Sequence, residues 1–205
     1  MSIGSLYIIS APSGAGKTSL ISELIKQDTE IKVAISHTTR PMRPGEENGK
    51  HYHFIPLEDF KSKIKQAHFL ECAEVFGNHY GTSNQAIDDQ LASDHDVILE
   101  IDWQGAQQVR KLRPDAISIF ILPPSVDELE QRLCGRKQDS QAVIKTRVQQ
   151  SCDDMCHYDE FDYIVINDDF DKAVQDLASI FQSNRMKLDN QQQRYRKFLA
   201  EVTQK

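Results

Sequence analysis

The apolar positions of this chain form short runs that alternate with segments of helical spacing. Near-continuous apolar runs, which predict strands, lie at residues 5–10, 96–102, 116–122 and 162–167. Segments with the helical period follow them at residues 17–27, 105–112, 125–136 and 170–188. Buried strands that alternate with helices predict an α/β fold, with a parallel core sheet covered by helices on both faces.

Residues 36–83 interrupt this alternation. They hold several prolines and glycines and two short alternating runs, at 52–55 and 69–76, with an amphipathic segment at 57–66 between them. This pattern predicts an inserted lobe of short strands with one helix. Residues 135–141 form a polar break between two helical patterns, which predicts the tip of a helical hairpin.

Composition narrows the class of protein. A chain of 205 residues that is 39% hydrophobic can bury one core without disulfides, so we expect its four cysteines to be free thiols. The apolar runs are too short for a membrane span, and the N-terminus lacks a basic signal-peptide region, so we expect a cytoplasmic protein without a membrane partner. A net charge of −7 argues against nucleic-acid binding but permits a small anionic ligand.

The strongest chemical signal lies between the first strand and the first helix. The run Ala11-Pro12-Ser13-Gly14-Ala15-Gly16-Lys17-Thr18 fits the phosphate-loop pattern, except that Ala11 replaces its first glycine and therefore requires a negative φ. The glycines let backbone N–H groups point at a phosphate, and the helix start adds its positive dipole end. Lys17 can reach the β- and γ-phosphates, and the Thr18 hydroxyl can ligate Mg²⁺. The motif predicts a nucleoside triphosphate site without selecting a reaction.

A second cationic feature is the pair Arg40 and Arg43, which lies among prolines in the run SHTTRPMRPGE. Guanidinium groups bind phosphate in a bidentate manner and stay charged at any working pH, so two of them suit a doubly charged monophosphate. Taken alone, the pair is more typical of arginines in a surface loop.

Seven segments in order resemble the guanylate kinase family, whose members move a phosphoryl group from ATP to GMP. The segments are 10–18 (SAPSGAGKT), 36–46 (SHTTRPMRPGE), 48–54 (NGKHYHF), 69–83 (FLECAEVFGNHYGTS), 99–109 (LEIDWQGAQQV), 120–125 (FILPPS) and 165–169 (VINDD). The resemblance implies a P-loop three-layer sandwich with a parallel core sheet. It divides the chain into a core (1–35, 84–124 and 157–205), a GMP-binding lobe (36–83) and a helical lid (125–156).

The resemblance also implies a GMP site. Its substrate-binding residues would be Ser36, Arg40, Arg43, Tyr52, Glu71, Tyr80, Thr82, Glu100 and Asp102. The carboxylate of Glu71 would accept hydrogen bonds from the guanine N1–H and 2-amino group, while the hydroxyls of Ser36 and Thr82 would donate to O6. Adenine would leave that carboxylate unpaired. The arginines and tyrosines would hold the phosphate.

For ATP, the resemblance implies contacts from residues 11–18, Arg132 and Asn167, and catalytic roles for Lys17, Arg136 and Arg147. Mg²⁺ would bind at Thr18 and Asp102. Because Glu100 and Asp102 stand two residues apart at a predicted strand end, we expect their side chains on one side of the strand.

These residues together predict an enzyme of purine nucleotide metabolism that catalyses ATP + GMP = ADP + GDP by direct in-line transfer, with GMP and ATP as its small-molecule partners. A homo-oligomer is compatible with the sequence. Three alternatives stay open: a sugar-phosphate kinase of the same fold, a non-catalytic phosphopeptide-binding module, and a nucleotide-dependent switch. Glu71 argues against the first and the retained Lys17 against the second. The switch would need a triphosphate site without an acceptor pocket.

Overall fold

The computed structural model describes residues 4–75, 77–135 and 141–203. The strands are β1 (Leu6–Ser10), β2 (Ile31–Val33), β3 (His37–Thr38), β4 (His53–Phe54), β5 (Phe69–Val75), β6 (Asn78–Ser83), β7 (Asp96–Glu100), β8 (Ile117–Leu122) and β9 (Tyr163–Ile166). The helices are α1 (Lys17–Gln27), α2 (Leu57–Lys65), α3 (Asn84–Ala92), α4 (Trp103–Leu112), α5 (Val126–Cys134), α6 (Gln141–Met155), α7 (Phe170–Arg185), α8 (Leu188–Arg194) and α9 (Arg196–Thr203).

The core is a five-stranded parallel sheet in the order β2-β7-β1-β8-β9. Every residue of the central strand β1 is buried, because helices cover both faces. Tyr7 and Ile9 pack against α1 and α7, whereas Leu6 and Ile8 pack against α3 and α4 on the opposite face. The expected three-layer α/β fold with a parallel core sheet is therefore confirmed.

A smaller sheet lies within residues 36–83, in the order β4-β3-β6-β5. β5 and β6 pair antiparallel, and their register shifts between Phe69 and Glu71. This irregularity places Glu71 directly opposite Thr82. A bulge of this kind redirects a side chain, and here it brings the carboxylate and the hydroxyl together.

The helices α5 and α6 pack on each other through a small apolar cluster formed by Leu129, Leu133 and Ile144. The sequence pattern predicted this pair. The tip expected between them falls largely on residues 136–140, which lie outside the described residues. In the described part of the chain, no helix combines the length and the apolar character that a membrane span requires.

Several elements differ from the sequence prediction. The short strand β2 and the helix α3 were not predicted, because β2 has only three residues and α3 has few apolar ones. The strand predicted over 96–102 ends at Glu100, and Asp102 lies beyond it as the N-cap of α4. The prediction that Glu100 and Asp102 stand on one strand is therefore wrong for Asp102. Residues 191–203 contain the end of α8 and the exposed α9.

Candidate active site

A cavity of about 770 Å³ lies between the β1–α1 loop, the smaller sheet and α6. Its volume falls within the usual range for small-molecule sites. Most of the residues singled out by sequence line it: Ala11, Pro12, Ser13, Gly14, Gly16, Lys17, Thr18, Ser36, Arg40, Arg43, Tyr52, Glu71, Tyr80, Glu100, Asp102 and Arg147. Site residues predicted within 11–18 and within 36–83 therefore line the same cavity.

The β1–α1 loop has the backbone of an anion cradle. Gly14 and Gly16 adopt φ values of 94° and 93°, which favour glycine, whereas Ala11 has a negative φ, as its Cβ requires. Helix α1 begins at Lys17 with no side-chain cap at its N-terminus. Its first N–H groups are therefore not satisfied by a capping side chain and can bind an anion.

Lys17 and the residues after β7 meet at the floor of the cavity. The Lys17 Nζ donates to the Ile101 carbonyl at 3.0 Å. Burial lowers the pKa of Lys17, and the nearby carboxylates of Glu100 and Asp102 oppose that shift. The Thr18 hydroxyl donates to a carboxylate oxygen of Glu100. The amine is thus held close to acidic groups that support its charged form.

The oxygen atoms at this floor suit a magnesium ion. Thr18 supplies a hydroxyl, and Glu100 and Asp102 supply carboxylates, all of which line the cavity. Mg²⁺ prefers such hard oxygen ligands. One Asp102 oxygen, Oδ1, accepts the Gly105 N–H at 2.9 Å and caps α4. Glu100, which contacts Thr18 directly, is therefore a second acidic candidate beside the Asp102 predicted from sequence.

At the other end of the cavity, a buried carboxylate is linked to two hydroxyl groups. The Thr82 hydroxyl donates to Glu71 Oε1 at 2.6 Å, and the Ser36 and Thr82 hydroxyls lie 2.8 Å apart. Glu71 is only 3% exposed. Burial raises its pKa to about 7, Asp102 adds to the rise, and the Thr82 hydrogen bond opposes it. This row of polar groups can recognise a ligand edge that carries both donors and an acceptor.

Next to this row lies a cationic and aromatic group. The Arg40 guanidinium lies 5.5 Å from the ring centroid of Tyr52, and the rings of Tyr52 and Tyr80 are 5.9 Å apart. Mainly through burial, the pKa of Tyr52 rises to about 12, so its hydroxyl keeps the proton and can donate. Arg43 also lines the cavity. Two cations and two phenols are a suitable set for a phosphate dianion.

Comparisons of the sequence and the structure with known proteins identify the family of this chain. The family model described as Guanylate kinase matches residues 4–184. The chain belongs to the guanylate kinase family. Among curated relatives, Guanylate kinase of Hydrogenovibrio crunogenus is 57% identical over 98% of both chains. Guanylate kinase of Hahella chejuensis is 58% identical over 95% of this chain and 94% of its own. The crystal structure of guanylate kinase from Anaplasma phagocytophilum has a TM-score of 0.77 at 29% identity, covering 91% of this chain and 89% of that one.

Four residues that were predicted for the site do not line the cavity: Ala15, Thr82, Arg132 and Asn167. The Asn167 amide donates to the Ala15 carbonyl at 2.7 Å, and Arg132 donates to the Asn167 carbonyl at 3.0 Å. Arg132 also pairs with Glu128 at 2.9 Å. In this structure these contacts support the phosphate loop, and direct contact with the nucleotide stays a prediction.

Helix α6 reaches the phosphate loop through Arg147. Its guanidinium donates to the Ser13 hydroxyl at 2.8 Å, and the Ser151 hydroxyl donates to the Ser13 carbonyl at 3.2 Å. Sequence reasoning found Arg147 but missed Ser151, because a lone serine in a helix carries no motif. The other arginine predicted for catalysis, Arg136, lies outside the described residues.

Two acidic residues at the site also escaped sequence reasoning. Glu46 binds Arg40 through both carboxylate oxygens. Asp154 of α6 lines the cavity and accepts the Trp103 indole N–H at 3.0 Å, and burial raises its pKa. The first could have been suspected because it lies in the arginine-rich loop, whereas the second had no signal. Within the described ranges, no group of three or more His, Cys, Asp and Glu could hold a metal by itself.

Proposed function

We propose that this chain transfers the γ-phosphoryl group of ATP directly to the phosphate of GMP, in the cavity between the phosphate loop and the smaller sheet. Membership of the guanylate kinase family supports the overall reaction, ATP + GMP = ADP + GDP. The observation that carries the residue assignment is that a phosphate loop and the buried Glu71 line one cavity. One bound molecule at each end would face the other across it.

The donor end suits the triphosphate of ATP. The cradle of residues 11–18 would surround the β- and γ-phosphates with N–H groups, and Lys17 would add a positive charge. Thr18, Glu100 and Asp102 would hold Mg²⁺, which when bound neutralises charge on the phosphate oxygens. Arg147 is already hydrogen-bonded to the loop at Ser13, so its guanidinium is close to where the γ-phosphate would lie. Arg136 would join it.

The acceptor end suits guanine and a monophosphate. An ionised Glu71 would accept the guanine N1–H and 2-amino group, and Ser36 would donate to O6. The hydrogen bond from Thr82 holds Glu71 in place for this contact. Arg40, Arg43, Tyr52 and Tyr80 would bind the phosphate.

Transfer itself needs little acid–base chemistry. The phosphate of GMP is largely ionised at pH 7, because the second pKa of such an ester is about 6. One of its oxygens forms a bond to the γ-phosphorus, while the bond from that phosphorus to the β–γ bridging oxygen breaks and ADP leaves. Lys17 and Arg147 would stabilise the charge that develops, and exclusion of water from the cavity would remove water as a competing acceptor. No covalent enzyme intermediate is required.

Features at both ends of the cavity favour this assignment over the three alternatives. A sugar phosphate lacks the adjacent ring N–H and amino group that the buried Glu71 carboxylate would accept from guanine. A module that only binds a phosphopeptide does not need a phosphate loop that retains Lys17. A switch would lack an acceptor site. We place the enzyme in the cytoplasm, acting in purine nucleotide metabolism.

The decisive experiment is an ADP-release assay with ATP and, in turn, GMP, AMP and ribose phosphate. We expect GMP to be phosphorylated and the others to react at least about a hundredfold more slowly in kcat/KM, since a site built for hydrogen bonds rejects ligands that cannot make them. Glu71→Ala should erode the preference for GMP over AMP. Glu74→Ala is the matched control, because Glu74 is an exposed glutamate on the same strand. Unchanged preference in Glu71→Ala would refute the assignment of the base-binding residue.

A further inference from the structure

Strand β5, which carries Glu71, is held against the core by a side chain of helix α4. The Gln108 amide group donates to the Cys72 carbonyl at 2.8 Å and accepts the Cys72 N–H at 3.1 Å. β5 is an edge strand of the smaller sheet, so among the described residues no further strand pairs with its outward backbone groups. The Gln108 side chain supplies the two hydrogen bonds that the backbone of a neighbouring strand would otherwise make to Cys72. Its anchor point is the residue directly after Glu71.

The same helix passes very close to the Glu71 carboxylate at Gly105. A Cβ on residue 105 would lie 2.9 Å from Glu71 Oε2 and 3.3 Å from Asp102 Oδ1. The backbone of Gly105 is helical and has no positive φ, so the glycine is needed here for space and not for its conformation. Any side chain at this position would push the carboxylate away from the helix.

We propose that Gln108 and Gly105 are positioning residues for recognition of the purine base. Gln108 sets the distance of β5 from the core, and Gly105 leaves the room in which the Glu71 carboxylate rests. Both are described residues, and neither lines the cavity, so each acts through Glu71 rather than on the ligand. The inference rests on the proposed role of Glu71 in binding guanine.

The proposal predicts a specific kinetic pattern. Gln108→Ala should raise the KM for GMP about tenfold, since β5 loses both of its hydrogen bonds to Gln108 at the residue next to Glu71. Gly105→Ala should raise it by a similar factor through displacement of the carboxylate. Both should lower the preference for GMP over AMP, while the KM for ATP stays within about twofold. The matched control is Gln107→Ala, because the neighbouring Gln107 amide instead donates to Glu160 at 2.9 and 3.1 Å.

A double-mutant test separates positioning from a merely structural role. Residues that act through Glu71 should have little further effect on the KM for GMP in a Glu71→Ala background, because the group they position is gone. The Gly105→Ala change should be tolerated there especially well, since the nearest atom that its Cβ would meet, Glu71 Oε2, is removed. Effects that instead add in full would overturn the proposal.

The outcomes distinguish this inference from the proposed function. If Glu71→Ala itself leaves the preference for GMP intact, the base-binding assignment fails and this inference fails with it. If Glu71→Ala erodes the preference but Gln108→Ala and Gly105→Ala do not, only the positioning roles are refuted. Should Gln108→Ala not fold, the Gly105→Ala variants decide the matter, because alanine is the better helix former and thermal unfolding can verify the fold.

Discussion

The Arg40 guanidinium and the Glu46 carboxylate form two nearly parallel hydrogen bonds, from Nη1 to Oε2 at 3.0 Å and from Nη2 to Oε1 at 2.8 Å. Glu46 also accepts the backbone N–H of Arg43 at 2.7 Å. This contact raises the pKa of Arg40 and lowers that of Glu46. Arg40 is thus already held by an internal anion, in one orientation, with part of its guanidinium facing the cavity.

We therefore expect Glu46→Ala to weaken GMP binding even though it removes a negative charge from the acceptor end. A free Arg40 must be ordered when the phosphate binds, and a charge-assisted pair contributes about 1.5–3 kcal/mol. The KM for GMP should rise about tenfold or more, with the KM for ATP unchanged. Glu47→Ala is the control, because Glu47 is adjacent and its carboxylate pairs with the exposed Lys50 and not with Arg40. A lower KM for GMP in Glu46→Ala would show that Glu46 competes with the substrate instead.

Lys17 is expected to matter for turnover and not for GMP binding. Its Nζ lies at the donor end, 3.0 Å from the Ile101 carbonyl. Lys17→Ala should lower kcat by about a thousandfold or more, since it removes a charge placed where the transition state needs it. Calorimetric titration should show GMP affinity within a few-fold of the parent. Lys26→Ala, at the exposed end of the same helix, should leave both quantities unchanged. Loss of GMP binding in Lys17→Ala would contradict the two-ended site.

The two acidic residues after β7 can be tested separately as magnesium ligands. Glu100→Gln and Asp102→Asn should each raise the Mg²⁺ concentration needed for half-maximal rate about tenfold, because each neutralises one hard oxygen ligand. Asparagine caps helices as well as aspartate does, so Asp102→Asn should keep α4 and its thermal stability intact. The rate is measured against Mg²⁺ at fixed ATP. If neither variant changes this dependence, the proposed metal site is wrong.

Glu71 should impose a pH dependence on the use of GMP. In the proposed function guanine binds the ionised carboxylate, and burial raises the pKa of Glu71 to about 7. Below that pH the carboxyl group gains a proton and loses acceptor capacity, so kcat/KM for GMP should fall as pH decreases from about 8 to 6. The GMP phosphate titrates near a pKa of about 6 and adds its own fall. Glu71→Gln separates the two, because it should abolish the limb near pH 7 and keep the lower one.

Much of this fold could be predicted from sequence, because its signals are local. Helix α1 has the predicted bounds, and the four predicted strands of the core sheet, β1, β7, β8 and β9, lie within two residues of prediction at each end. The apolar pattern that indicates a buried strand or an amphipathic helix spans a short stretch of consecutive residues, so it can be recognised in the sequence itself. The missed elements, β2 and α3, are short or weakly apolar, and they form because neighbouring strands and caps support them.

By itself, the sequence determined the phosphate loop, the α/β class and the family resemblance, since these depend on residues close together in the chain. Only the tertiary structure decided how distant groups meet. It paired Thr18 with Glu100, placed Asn167 against the phosphate loop, and brought Gly105 against Glu71. Such contacts join residues tens of positions apart, and their distances depend on how helices and strands pack, which no local pattern encodes.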